Sequence, residues 1–190
     1  MALTKSWGNM YPFVTHTWNA IKGICFHDCP YCYMKKFDGL LPVRIDPKEL
    51  KVNLGNGNFI FVGSGTDAWA FDIPSDWITC FLDYCNLFNN NYLFQSKDPS
   101  RFLKFISHPV MQKSVLCTTI ETNVFYPNIV RNAPNTRKRA KAMQKLASLG
   151  MRTYVTCEPL IKFDLPEMVE LIKMCSPAVS YTHLRAHETA

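Results

Sequence analysis

The stretch GICFHDCPYCYM, Gly23–Met34, sets three cysteines into eight residues with the spacing C-x3-C-x2-C. It follows closely on an extended, β-branched and aromatic run, PFVTHTW (Pro12–Trp18). A structural metal site closes its shell with four ligands, whereas a catalytic site keeps a position open. A cubane [4Fe-4S] cluster takes one thiolate per iron, so three protein thiolates leave one iron with open coordination. Cys25, Cys29 and Cys32 are therefore the candidate cluster ligands; Pro30 stiffens the loop and Tyr31 sets an aromatic face beside the last thiolate. The rival is zinc, for which Cys25, His27, Cys29 and Cys32 make a Cys3His set, in a non-catalytic metal-binding or nucleic-acid-binding module. His27 lies one residue from Cys29 in that set, awkward for a tetrahedral site, and is read as a supporting or exposed residue.

Working outward, 190 residues suit one domain with a sizeable core. No apolar run approaches the roughly 18 residues of a membrane span. The start, MALTKSWGNMYPF, lacks the apolar core of a secretory signal. A cytoplasmic location is expected, where thiols stay reduced and clustered cysteines bind metal or do chemistry. Cys80, Cys85, Cys117, Cys157 and Cys175 are scattered among apolar residues and read as core packing. The net charge of +6 is concentrated: no acid falls between Thr122 and Cys157, where Arg131, Arg137, Lys138, Arg139, Lys141, Lys145 and Arg152 all lie. Within it, NTRKRAKAMQKLASLG reads as an amphipathic helix with Ala140, Met143, Leu146 and Ala147 inward and Gly150 ending it. Its basic side is either a solvated face or a contact surface for a nucleic-acid backbone.

Five β-type runs recur, most followed by helical material. After PFVTHTW come NFIFVGSG (Asn58–Gly65), NYLFQS (Asn91–Ser96), SVLCTTI (Ser114–Ile120) and RTYVTCE (Arg152–Glu158). The helices between them include IPSDWITCFLDYCNLF, with Ser75 as the expected N-cap and Ile78, Phe81, Leu82 and Cys85 at helical spacing. A short helix PSRFLKFI, the basic helix, and LPEMVELIKMC with Pro166 in its first turn complete the set. This alternation predicts an α/β fold with a parallel sheet. Strands buried on both faces read as continuous apolar runs. Each run ends in polar residues or glycine, and in parallel α/β folds ligands sit at those carboxyl ends. Five polar ends then share one mouth with the cysteine loop.

Cys25, Cys29, Tyr31 and Cys32 match the C-x3-C-x-aromatic-C motif, and in this the chain resembles the radical S-adenosylmethionine (SAM) superfamily. TWNAIKGICFHDCPYCYM, FVGSGTD, YLFQSKDPSRF, TTIETN and EPLIKFDLPEM are further similar to a phage- and bacteria-associated group of undefined activity related to spore photoproduct lyase. The resemblance implies a partial (β/α) barrel with about five of six βα units present. It implies one [4Fe-4S] cluster whose open iron chelates SAM. An electron from the reduced cluster then splits SAM into methionine and a 5′-deoxyadenosyl radical, which abstracts hydrogen from a substrate. It places Gly63, Ser64 and Gly65 at the SAM amino group, Lys97 at the SAM carboxylate, and Thr119 and Glu121 near the ribose. Glu158 is the expected catalytic residue, facing the adenosyl group or substrate. GSGTD stands where many relatives carry an acidic-ended Gly-Gly-Glu, so the amine contact falls to backbone oxygens or Asp67. The implied partners are a substrate the core does not name, a reductant such as flavodoxin or ferredoxin, nucleic acid as a further candidate, and no membrane.

The core is expected over 1–178. No sixth strand is evident after the fifth helix, only its start at SPAV. SYTHLRAHET resembles a translated adapter segment, so 179–190 is expected to be a non-native tail on a truncated frame. His183 and His187 lie four apart but lack a third ligand, and no role is assigned to them.

Overall fold

The computed structural model describes residues 3–6, 11–177 and 179–180. In chain order the elements are β1 (Thr4–Lys5), β2 (His16–Trp18), β3 (Ile21–Lys22), β4 (Arg44–Ile45), β5 (Phe59–Val62), α1 (Ser75–Asn86) and β6 (Asn91–Gln95). There follow α2 (Pro109–Gln112), β7 (Ser114–Thr119), α3 (Pro127–Val130), α4 (Thr136–Ser148), β8 (Arg152–Thr156), α5 (Leu165–Met174) and β9 (Val179–Ser180). Among the described residues seven strands form one sheet in the order β1-β2-β5-β6-β7-β8-β9, every neighbouring pair parallel except β1 with β2. β1 and β9 are its two edges, so the sheet does not close into a barrel. β3 and β4 make a separate antiparallel ribbon.

The five expected runs are β2, β5, β6, β7 and β8. The first loses its amino half, because Val14 N–H turns back onto the Tyr11 carbonyl at 2.9 Å instead of joining the sheet. The other four end earlier than their runs, and the residues left over become the mouth. The sixth strand that the sequence hides is present: β9 runs beside β8, pairing Tyr154 with Val179 and Val155 with Ser180. Two residues are too few to leave a strand pattern in sequence. Residues 181–190, with His183 and His187, lie outside the described residues.

Strand alternation sorts the side chains onto two faces. Toward the helices point Ile60, Val62, Tyr92, Phe94, Leu116 and Val155, packed against Ile78, Phe81, Leu82 and Cys85 of α1, Met143 of α4 and Leu171 of α5. Trp69 is fully buried there, edge-on to Phe81, Phe94 and Phe102. Burying one such side chain stabilises the fold by about 1.5–3 kcal/mol. Helix α1 starts at Ser75 with Pro74 in the cap position and no side-chain cap, one residue off the expectation. By contrast, Asn135 caps α4 through Lys138 N–H and Asp164 caps α5 through Glu167 N–H. Cys85, Cys117, Cys157 and Cys175 are buried as expected, but Cys80 is exposed on α1. Burial holds the Cys157 and Cys175 thiols protonated, raised to about 11 and about 12.

The other face is layered. Phe61, Leu93, Cys117 and Tyr154 make an apolar floor with Val14, and Tyr11 and Phe13 lie across it. Tyr11 meets Tyr154 edge-on at 5.7 Å between ring centroids, and Phe13 meets Phe59 at 4.9 Å. Above the floor runs a polar row: Tyr11 donates to Gln95 at 2.9 Å, Gln95 Nε2 donates to Thr119 Oγ1 at 3.1 Å, and the Thr119 and Thr156 hydroxyls share a bond at 3.2 Å. Two positions beyond Gln95, Thr119 and Thr156 stand Lys97, Glu121 and Glu158, on the same face by the two-residue period. The layers thus pass from apolar to polar to charged as the mouth is approached.

Candidate active site

The cysteine loop leaves the sheet through a tight neck. Gly23 has φ +121°, and a Cβ there would lie 2.6 Å from the Pro42 carbonyl oxygen, so only glycine fits. Ile24 N–H bonds the Leu41 carbonyl at 3.0 Å, and Thr66 Oγ1 donates to the Gly23 carbonyl at 2.8 Å. Beyond the neck the loop folds as successive turns, Asp28 N–H to Cys25 O and Cys32 N–H to Cys29 O. Asn132 Nδ2 holds the Phe26 carbonyl at 2.8 Å, and Arg131 and Lys35 both pair with Asp28. Cys25, Cys29 and Cys32 line one small cavity of about 70 Å³ together with Gly65 and Met34. Burial, reinforced by nearby Asp67, pushes the Cys25 thiol up to about 12, and burial raises Cys29 as well. Both thiols therefore hold protons at neutral pH until a metal displaces them.

Below the loop, Lys97 and Glu121 meet as an ion pair at 3.1 Å, the carboxylate fully buried. Arg139 closes on the other carboxylate oxygen at 2.7 Å, and the same Nη1 reaches the Thr119 carbonyl at 2.9 Å. Tyr31 donates to Glu121 Oε1 at 2.9 Å and in turn accepts from Lys97 Nζ, whose ammonium stands 5.0 Å from the ring centroid. Burial opposes the charge on Glu121, but Lys97 and Arg139 outweigh it and bring the carboxyl down to about 2. Burial, then the Glu121 carboxylate, keeps the Tyr31 phenol protonated. Tyr31, Lys97 and Glu121 are thus one unit, with Arg139 behind it.

Asp67 belongs to a different unit. Its Oδ2 accepts from His27 Nε2 at 2.9 Å, Ser96 Oγ at 3.0 Å and Lys97 N–H at 2.9 Å, and its Oδ1 accepts from Trp69 N–H at 2.9 Å. Gly63 takes φ +83° at the end of β5. Asn19 Oδ1 accepts from Gly65 N–H at 3.1 Å and its Nδ2 reaches Ser64 Oγ at 3.2 Å, while Tyr33 Oη covers the Ser64 carbonyl at 2.7 Å. Thr119 sits one layer beneath the mouth, in the polar row. Glu158 is half-buried at the end of β8 and makes no hydrogen bond or ion pair among the described residues. Its charge is felt at Cys117 and Cys157.

Sequence reasoning missed Arg139, Asn19 and the burial of His27. Arg139 is hidden in a basic run, yet it shares the helical stripe of Met143 and Leu146, a spacing that marks it as inward. His27 is 1% exposed and gives Nε2 to Asp67 rather than facing the three thiols' cavity. Sulfurs on one tetrahedral zinc would stand about 3.8 Å apart, given Zn–S bonds of about 2.3 Å. Among the described residues no three His, Cys, Asp or Glu side chains converge in that way. The three thiols border one cavity without converging on a single point.

A parallel, open sheet whose first parallel strand leads into a three-cysteine loop is the partial (β/α) barrel of the radical SAM type. Solved structures of spore photoproduct lyase share this fold. A cysteine-to-serine variant aligns with a TM-score of 0.67 at 15% identity, covering 90% of this chain and 55% of that one. A variant with bound AdoMet and dinucleoside spore photoproduct aligns at 0.68 and 12% identity, covering 92% and 56%. The lyase complexed with dinucleoside spore photoproduct aligns at 0.63 and 13% identity, covering 84% of this chain and 50% of that one. The chain spans about half the length of these structures. No family model and no curated protein sequence matches it. No helix among the described residues is long and apolar enough to cross a membrane.

Proposed function

We propose that this chain is the core of a radical SAM enzyme. One observation carries the reading: three thiols border a single cavity directly over a buried Lys97–Glu121–Arg139 unit, and Tyr31 joins the two. Cys25, Cys29 and Cys32 would hold a [4Fe-4S] cluster and leave one coordination position for SAM. When bound and reduced, the cluster supplies the electron that splits SAM into methionine and a 5′-deoxyadenosyl radical, which takes hydrogen from the substrate. Lys97 presents its ammonium to the SAM carboxylate, and Glu121 keeps that ammonium in place. Asp67 is occupied by four donors, and Tyr33 covers the Ser64 carbonyl, so the carbonyls of Gly63 and Gly65 receive the SAM amine. Ser64 shapes that turn through Asn19, and Asp67 anchors the loop through His27. Thr119 supports the ribose side from the polar row, and Glu158 faces the substrate across the mouth. The floor of Tyr11, Phe13, Phe61 and Tyr154 keeps water from entering beneath.

A nucleotide-type substrate is the candidate, since the similar structures hold a dinucleoside. The reductant is a flavodoxin or ferredoxin. The sequence expectation of a core over 1–178 and a non-native tail over 179–190 stands as a proposal alongside, with Val179 and Ser180 of that span paired to β8. The test is anaerobic reconstitution, reduction with dithionite and measurement of 5′-deoxyadenosine from SAM. Deoxyadenosine that forms in the wild type and not in Cys29→Ala supports the assignment. Stoichiometric zinc and colourless protein after reconstitution would sink it in favour of the zinc module.

A further inference from the structure

A cavity of about 510 Å³ opens behind the cysteine loop and shares no residue with the one the cysteines border. Its walls come from Phe26 and His27 of the loop, Phe71 after β5, Asp98 after β6, and Lys138 and Arg139 of the first turn of α4. That volume lies within the roughly 300–1,000 Å³ of small-molecule sites.

Three features of it point one way. Arg139 Nη2 and His27 Nδ1 are buried side-chain nitrogens without a hydrogen-bond partner, on residues that are 0% and 1% exposed. Their other nitrogens are engaged, at Glu121 and Asp67. The first turn of α4, a helix of 13 residues, carries no acid, and Lys138 lies in it. A helix amino end favours an anion, and a lysine beside it adds a full charge. At the mouth, Phe26 and Phe71 are 37% and 72% exposed with ring centroids 6.2 Å apart. Two neighbouring exposed aromatic rings offer a stacking surface to a planar ring. The one carboxylate in the wall, Asp98, accepts from Ser100 Oγ and suits a ribose hydroxyl rather than a phosphate.

We propose that this cavity is a second binding site, for a nucleotide. Its phosphate lies at the start of α4 on Lys138 and Arg139, and its base lies on Phe71 and Phe26. The nucleotide is either free or part of a nucleic-acid strand, the phosphate and planar ring being common to both. The site borders the proposed SAM unit through Arg139 and His27, but it needs no cluster and is tested without one.

The experiment is isothermal titration calorimetry of the iron-free protein with AMP, inorganic phosphate and a short single-stranded oligonucleotide. Lys138→Glu should weaken binding roughly tenfold or more, the loss of a charge-assisted contact. Phe71→Ser should weaken it by about fivefold or more, the loss of one stacked ring. Both side chains are exposed, and unchanged thermal melting confirms that the variants fold. AMP binding displaced by phosphate supports a free nucleotide; oligonucleotide binding without AMP binding supports a strand. A variant with all three loop cysteines changed to alanine should bind as the wild type does, which separates this site from the cluster reading. If none of the probes binds, or if binding is indifferent to both Lys138→Glu and Phe71→Ser, the proposal is overturned.

Discussion

The cysteine loop and the strand-end unit touch each other but are held by different means. Lys97 and Glu121 continue strands whose register is set by backbone pairing, Tyr92 against Ser114 through Gln95 against Cys117. The loop over residues 23–34 has turns but no sheet. Its place is set by side chains reaching across, His27 to Asp67, Tyr31 to Glu121, Tyr33 to Ser64 and Thr66 to Gly23. The dependence therefore runs one way. The backbone of the strand ends is set without the loop, with Tyr31 only joining their side chains, whereas the loop loses its seat if the strand ends change.

That asymmetry can be broken experimentally, and the largest effect belongs to the thiols. Cys29→Ala should lose most of the iron and brown colour after reconstitution yet melt almost as the wild type does, while Cys85→Ala in the core should keep its iron. Equal iron in wild type and Cys29→Ala would remove the cluster from the loop. Next comes Glu121→Ala, which leaves buried Arg139 without its counter-charge and should cost about 3–5 kcal/mol in urea unfolding. The same residue predicts a pH dependence. Its carboxyl lies lower when folded, about 2 against the ordinary 4.5, so its contribution is complete above about 4.5 and is lost as pH falls toward 2. Glu121→Gln should flatten that part of the acid-unfolding profile of the iron-free protein.

Smaller effects should follow from Lys97 and Tyr33. Lys97→Ala should retain iron and weaken SAM binding roughly tenfold or more, a charge-assisted contact being worth about 1.5–3 kcal/mol. Unchanged SAM affinity would take Lys97 out of the site. Tyr33→Phe removes one hydroxyl from the Ser64 carbonyl and should cost about 0.5–1.5 kcal/mol at most. A larger loss there would mean that the loop is seated mainly by Tyr33 rather than shared among several bonds.

The parallel sheet was legible because strands covered on both faces leave unbroken apolar runs such as FIFV and YLF. Polar residues at the run ends pointed to the mouth for the same reason, since the two-residue period continues past the last paired residue. Residues 11–14 misled: they are apolar like a strand, yet they pack across the inner face as Tyr11 and Phe13 do on Tyr154. The strand pattern cannot tell pairing from covering. Cys80 misled in the opposite sense, an apolar residue type on the solvent side of α1. Arg139 was obscured by its neighbours Arg137, Lys138 and Lys141, whose charges make it read as part of one exposed basic face. Asn19 left no signal, and the supporting role read for His27 came without its partner, since the partners lie 45 and 40 residues away.

The neck at Gly23 has a further consequence for how the loop meets metal. Closing the ends of a flexible segment of roughly 20 residues, within which the three thiols lie, costs about 3 kcal/mol of chain entropy. Here the Ile21–Ile45 pairing and the Ile24–Leu41 bond close that segment when the protein folds. The three thiols then start from a loop already closed, so a metal group held by them would not bear that cost. Opening the neck would leave all three sulfurs in the sequence and return the cost to the binding step.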